Sequence, residues 1–69
     1  MSLAKQARLE NELSLEDAAK RLNINGGYLS QIEKGQRQIS AERAEEIAKL
    51  YHREIEEIFL PSRYAVRVV

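Results

Sequence analysis

Between Gln31 and Gln38 (QIEKGQRQ) the chain sets three amides, a lysine and an arginine around a single acid, Glu33. Side chains of these types act by donating and accepting hydrogen bonds. A lysine or arginine holds a phosphate, and a glutamine can pair its amide with a base edge. Proton shuttling and nucleophilic attack need other groups. The chain has no cysteine and one histidine, His52, so no acid–base or nucleophile–base constellation stands out and catalysis is not expected. Without cysteine, disulfides and thiolate metal sites are excluded. A lone histidine builds no metal cluster, and no cofactor or small-molecule ligand is expected.

The charge distribution singles out the same region. Net charge is zero, yet it is unevenly spread. Residues 20–41 carry Lys20, Arg21, Lys34 and Arg37 against Glu33 alone, a local +3. Residues 1–19 sum to −2, residues 42–57 to −3, and Arg63 and Arg67 follow in the tail. A positive block inside a neutral chain is where a polyanion would be met. The composition, 43% hydrophobic and 32% charged, is that of a folded domain and not of a disordered chain. No apolar run approaches the ~20 residues of a membrane span, and no signal-peptide pattern opens the chain. A reducing cytoplasm is the expected compartment, and no membrane partner is expected.

These residues must be positioned by helices, because the apolar residues recur at helical period. A first segment, about Leu3 to Asn11, has Leu3, Ala4 and Ala7 as its stripe, with Leu13 closing the loop behind it. Ser14 and Asp17 form a capped helix start. The helix that follows places Leu15, Ala18, Ala19 and Leu22 on one face. Asn23 stands at a sharp turn, a position that asparagine tolerates in left-handed geometry. Asn25 caps a third segment with Leu29 and Ile32 inward, and Gly35 ends it. Ile39 plugs the next loop. Ser40 caps a fourth segment with Ala41, Ala44, Ile47, Ala48 and Tyr51 on one side. Ile55, Ile58 and Phe59 belong to a short fifth segment stopped by Pro61. The expectation is one all-α five-helix domain over residues 1–61 and a short non-helical tail over residues 62–69. Two short helices around a tight turn, Leu15 to Lys34, have the helix-turn-helix layout, whose second helix can enter a DNA major groove. The tail has Tyr64, Val66 and Val68 on one side of a possible strand. It can pair with a symmetry mate, lie against the bundle, or fray.

Arg8, Leu13-Ser14, Ala19, Leu22, Ile24, Leu29-Ser30, Ile32-Glu33, Gly35, Ile47-Ala48 and Ile58-Phe59 together resemble the Cro/repressor-type (XRE) helix-turn-helix regulators of phage and bacteria. The resemblance spans roughly Leu3 to Leu60. The run Glu56 to Pro61 looks like short single-domain prophage members. The resemblance implies a lambda-repressor-like fold with the helix-turn-helix in helices two and three. It also implies a structural ion pair between Arg8 and Glu33, and base contacts from positions 26, 27 and 31.

The chain departs from this pattern in three places. Gly26 and Gly27 leave two reading positions without side chains. Either their backbone N–H groups approach the DNA closely, or reading narrows to Gln31 with Tyr28 and Ser30 assisting. Leu15 replaces a glutamine that touches phosphate in many members. No glycine stands near His52 and no serine or aspartate cap near Glu54, so helices four and five are expected to join through a tighter or partly continuous turn. Phosphate donors are expected on both sides of the third helix: Ser14 and Asn25 before it, Lys34, Gln36, Arg37 and Gln38 after it. The expected function is sequence-specific double-stranded DNA binding by a transcriptional regulator, a repressor. It would bind as a homodimer on a palindromic operator, assembled on DNA or before it, in association with the nucleoid. The alternative is a protein-interaction module of the same fold, an antitoxin or adaptor.

Overall fold

A computed structural model describes residues 1–61 and 63–68, leaving Ser62 and Val69 of the expected tail outside the described residues. It contains α1 (Leu3–Glu10), α2 (Leu15–Leu22), α3 (Gly26–Glu33), α4 (Ala41–Leu50) and α5 (Ile55–Ile58). Four helices begin at a side-chain cap. Ser2 accepts from the Lys5 N–H, Ser14 from Asp17, Asn25 from Gly27 and Ser40 from Arg43. Each cap satisfies one of the donors that a helix start leaves without a partner.

The first four helices also end alike, by a pair of hydrogen bonds around one left-handed residue. After α1, Glu12 has φ 58°, its N–H donates to Leu9 O, and the Leu13 N–H donates to Arg8 O. Asn23 does the same after α2, Gly35 after α3 and His52 after α4. This termination turns the chain sharply while satisfying the last carbonyls. It corrects the expectation of a tight or continuous junction between α4 and α5. His52, at φ 59°, does the work expected of glycine, and its side chain is exposed. The missing cap before α5 is supplied from inside the helix, where Glu57 Oε1 accepts from the Glu54 N–H at 2.9 Å.

The core is built from the helical stripes. Ala4, Ala7, Ala18, Ala19, Leu29, Ile32, Ala44, Ile47, Ala48, Tyr51, Ile58 and Phe59 are all buried, joined by Leu13, Leu22 and Ile39. The run of alanines lets the helix backbones approach closely enough for Tyr51 and Phe59 to fill the middle. Ala41 does not reach this layer. It is the first residue of α4 and lies exposed at the edge. No helix among the described residues is long and apolar enough to cross a membrane.

The tail lies against its own bundle. The Arg67 N–H donates to Ile58 O, the Leu3 N–H donates to Arg67 O, and Arg67 Nε donates to Glu56 O. Among the described residues only isolated antiparallel bridges form, Phe59 with Val66 and Ser2 with Val68. The expected alternation of Tyr64, Val66 and Val68 is broken. Val66 is buried, Tyr64 is half-buried with φ 52°, and Val68 is 74% exposed. A left-handed residue cannot continue a pleated strand, so no regular strand runs from Tyr64 through Val68.

Tyr51 carries an energetic oddity. Its side chain is fully buried, and its hydroxyl has no hydrogen-bond partner. Burial pushes the phenol well above its ordinary value, the Glu33 carboxylate adding to the rise and the Arg8 guanidinium opposing it. The native state therefore keeps this proton when the unfolded chain has released it. Stability conferred by Tyr51 is complete below the ordinary tyrosine value of about 10 and falls above it. Tyr51→Phe is expected to be more stable by about 1 kcal/mol at neutral pH. Its advantage should widen as pH rises above about 10. Urea midpoints of both proteins at pH about 8 and about 11 check this, and a pH-independent difference contradicts the buried phenol.

Candidate nucleic-acid interface

The α2–turn–α3 unit is held from beneath. Ala18, Ala19, Leu22, Leu29 and Ile32 bury the inward faces, and Ile24 in the turn is half-buried against them. The far end of α3 is tied to α1 by a two-pronged ion pair. Arg8 Nε donates to Glu33 Oε2 at 2.7 Å, and Arg8 Nη2 donates to Oε1 at 3.2 Å. Arg8 Nη1 donates to Leu13 O at 3.0 Å. Both side chains are more than nine-tenths buried. A planar guanidinium gripping both oxygens of one carboxylate fixes orientation as well as distance, so α3 cannot roll about its axis without breaking the two bonds to Glu33.

What α3 turns outward follows from 3.6 residues per turn. With Leu29 and Ile32 inward, Gln31 lies near the middle of the outer face, and Tyr28 and Ser30 fall on opposite flanks. Gly27 is exposed, while Gly26, Tyr28, Ser30 and Gln31 are half-buried. Ser14, Asn25, Lys34, Gln36, Arg37 and Gln38 are all exposed. The set expected to meet phosphate is thus at the surface, on the loops and helix ends that flank α3. The Asn25 carbonyl is engaged as a cap, accepting from Gly27 at 2.6 Å, which leaves its NH2 as a donor.

Within this set the structure draws two groupings. Ser30 and Lys34 line a recess of about 420 Å³ with Lys5 and Leu15, next to the Arg8–Glu33 pair. On the other flank, Arg37 folds back over α3. Its Nε donates to Gln31 Oε1 at 2.9 Å, and its guanidinium stands 5.4 Å from the centre of the Tyr28 ring. Tyr28 and Gln31 are neighbours one turn apart, as the sequence spacing already implies. The return of Arg37 was not legible. It depends on Gly35, whose φ of 76° reverses the chain after α3.

Glu16 is the residue that sequence reasoning missed. A Cβ added to Gly26 would stand 2.9 Å from Glu16 Oε1, so glycine leaves the room that this carboxylate occupies beside the start of α3. An acid is favoured at a helix N-terminus. In the sequence, Glu16 was indistinguishable from an ordinary first-turn acid of α2.

Electrostatically the interface is simpler than the net charge suggests. Glu33, the one acid between residues 20 and 41, is buried and paired. The exposed charges of that segment are Lys20, Arg21, Lys34 and Arg37, all positive. The Arg8 guanidinium bonded to it cancels the Glu33 charge at short range, so the pair subtracts little from the field outside.

Comparison with known proteins adds one match. Residues 5–58 fit the family described as helix-turn-helix, an interval that includes α2, α3 and both members of the buried ion pair. No curated protein and no solved structure matches the chain.

Proposed function

Since the chain belongs to this helix-turn-helix family of DNA-binding proteins, we propose that it is a sequence-specific transcriptional regulator, a repressor, that seats α3 in the major groove of double-stranded DNA. The observation that carries this reading is the sequestration of Glu33. With that acid locked onto Arg8, the surface from Asn25 to Gln38 offers donors and cations and no exposed carboxylate of its own. Gln31, central on the outer face, reads a base edge; Tyr28 and Ser30 flank it, and Gly26 and Gly27 let the backbone come close. Ser14, Asn25, Lys34, Gln36 and Gln38 hold the phosphates on either side. One α3 reads only a few base pairs, so two copies are expected on a palindromic operator. Because the tail is used within its own chain, pairing on the DNA fits better than a dimer zipped through that segment. The reading places the protein on the nucleoid, in the cytoplasm, acting by binding rather than catalysis.

Selection of bound sites from random duplex DNA, with affinities repeated at two salt concentrations, tests the proposal. An enriched inverted repeat is expected, with log K falling by ~0.9 per phosphate contact for each unit of log salt. Gln31→Ala should relax base preference more than it weakens non-specific binding. One observation favours a second reading, an antitoxin or adaptor that meets a protein: the Glu16 carboxylate beside Gly26 puts a negative charge at the entrance to the interface. Recovery of no enriched motif would move the assignment to that class.

A further inference from the structure

Arg37 occupies a position that a phosphate clamp does not need. A clamp reaches outward from a loop to a strand beside the groove. Here the side chain turns inward across the outer face of α3, with Nε spent on Gln31 Oε1 at 2.9 Å and the guanidinium 5.4 Å from the Tyr28 ring centre. Two unlike contacts, one a hydrogen bond and one a cation–π seat, hold the same group on the Tyr28 flank of the reading face, directly beside Gln31. No carboxylate among the described residues pairs with Arg37, so its full charge is retained. With Nε engaged, the donors left for a ligand are those of Nη1 and Nη2. Two adjacent N–H groups on a planar fork match the O6 and N7 acceptors on the major-groove edge of guanine.

We infer that Arg37 is a specificity-determining residue that reads a guanine next to the base met by Gln31, with Tyr28 and Gln31 holding its guanidinium in place. The inference rests on the DNA-binding reading above. It also alters the role of Gln31. One lone pair of its carbonyl is committed to Arg37, so Gln31 and Arg37 act as one unit, and loss of either disturbs both contacts. Position 37 thereby compensates for Gly26 and Gly27. The reading side chains missing from the first turn of α3 are replaced by one returning from the loop beyond its end.

The test uses the full chain and the motif selected by the wild type, with binding measured on that site and on versions changed one base pair at a time. Wild type should prefer one guanine in each half-site by about ten- to a hundredfold. Arg37→Ala should abolish that preference. Arg37→Lys, which keeps the charge but loses the fork, should keep the salt slope and lose the guanine preference. Tyr28→Leu should weaken the preference without changing the charge. Circular dichroism melts confirm that each variant folds. If Arg37→Ala leaves every base preference intact and lowers the salt slope by ~0.9, Arg37 is a phosphate clamp and the inference is overturned while DNA binding stands. A wild type that enriches no motif overturns the DNA reading itself, and this inference with it.

Discussion

Glu33→Leu is expected to destabilise the protein by about 3–5 kcal/mol. The substitution leaves the Arg8 guanidinium more than nine-tenths buried with only the Leu13 carbonyl as a partner, and an uncompensated buried charge costs about 3–5 kcal/mol. A chain of this size has a total stability of roughly 3–10 kcal/mol, so the loss takes about a third of it or more. Arg8→Met should cost a similar amount, because the Glu33 side chain it strands is as deeply buried as the guanidinium. Changing both residues to apolar ones should recover most of the loss, since two buried ions and their mutual attraction are removed together. Recovery should be incomplete. Leu13 O, which accepts from Arg8 Nη1, loses a partner in the double variant. Urea unfolding of the four proteins gives the coupling energy directly. A coupling near zero would mean that the pair, although close, does not hold α3 in place.

Val66→Asp and Val68→Asp should differ by at least about 3 kcal/mol, although the two positions are separated by one residue. Val66 is 7% exposed and Val68 is 74% exposed. Val66 also reaches the glycine that follows α3: a Cβ built on Gly35 would stand 3.7 Å from Val66 Cγ1. A carboxylate at 66 would be pressed against Phe59, which is fully buried and bridged to it. The cheapest escape is release of the whole tail, with loss of the hydrogen bonds from Arg67 to Ile58 and from Leu3 to Arg67. A carboxylate at 68 stays in water. Comparing the two melting temperatures with wild type is sufficient, since each kcal/mol moves the midpoint of a domain this small by about 4–8 °C. Equal melting temperatures would show that the tail is not part of the folded unit. A released tail should also loosen the loop after Gly35, so Val66→Asp is expected to weaken any DNA affinity at temperatures where the bundle itself remains folded.

The helices and their starts were legible because the information is local. Apolar spacing at 3.6 residues marked the inward faces, and Ser14, Asn25 and Ser40 are residues whose side chains reach a backbone N–H two or three positions on. Helix ends were legible only where a residue of the right type stood, at Asn23 and Gly35. Glu12 and His52 make the same left-handed turn without advertising it, since packing on either side pays for a conformation their own propensities disfavour. The Arg8–Glu33 pair was expected from resemblance alone, as two charges 25 positions apart carry no spacing signal.

What distance along the chain cannot encode is which surface side chains come to share a site. Position 37 in the sequence reads as a loop cation, and position 16 as a helix-start acid. Their real neighbours, Gln31 and Tyr28 for the one and Gly26 for the other, are set by how α2, α3 and the reversal at Gly35 pack against one another. The same holds for the tail, whose β-branched residues were compatible with three arrangements until Phe59 and the start of α1 offered it an edge. Composition and period therefore dictated a five-helix scaffold with α3 presented outward, because each helix needs only its own neighbours to form. Tertiary packing dictated the grouping of side chains on that outward face, because charge, ring and amide meet only when segments that are remote or reversed in sequence are brought within a few ångströms.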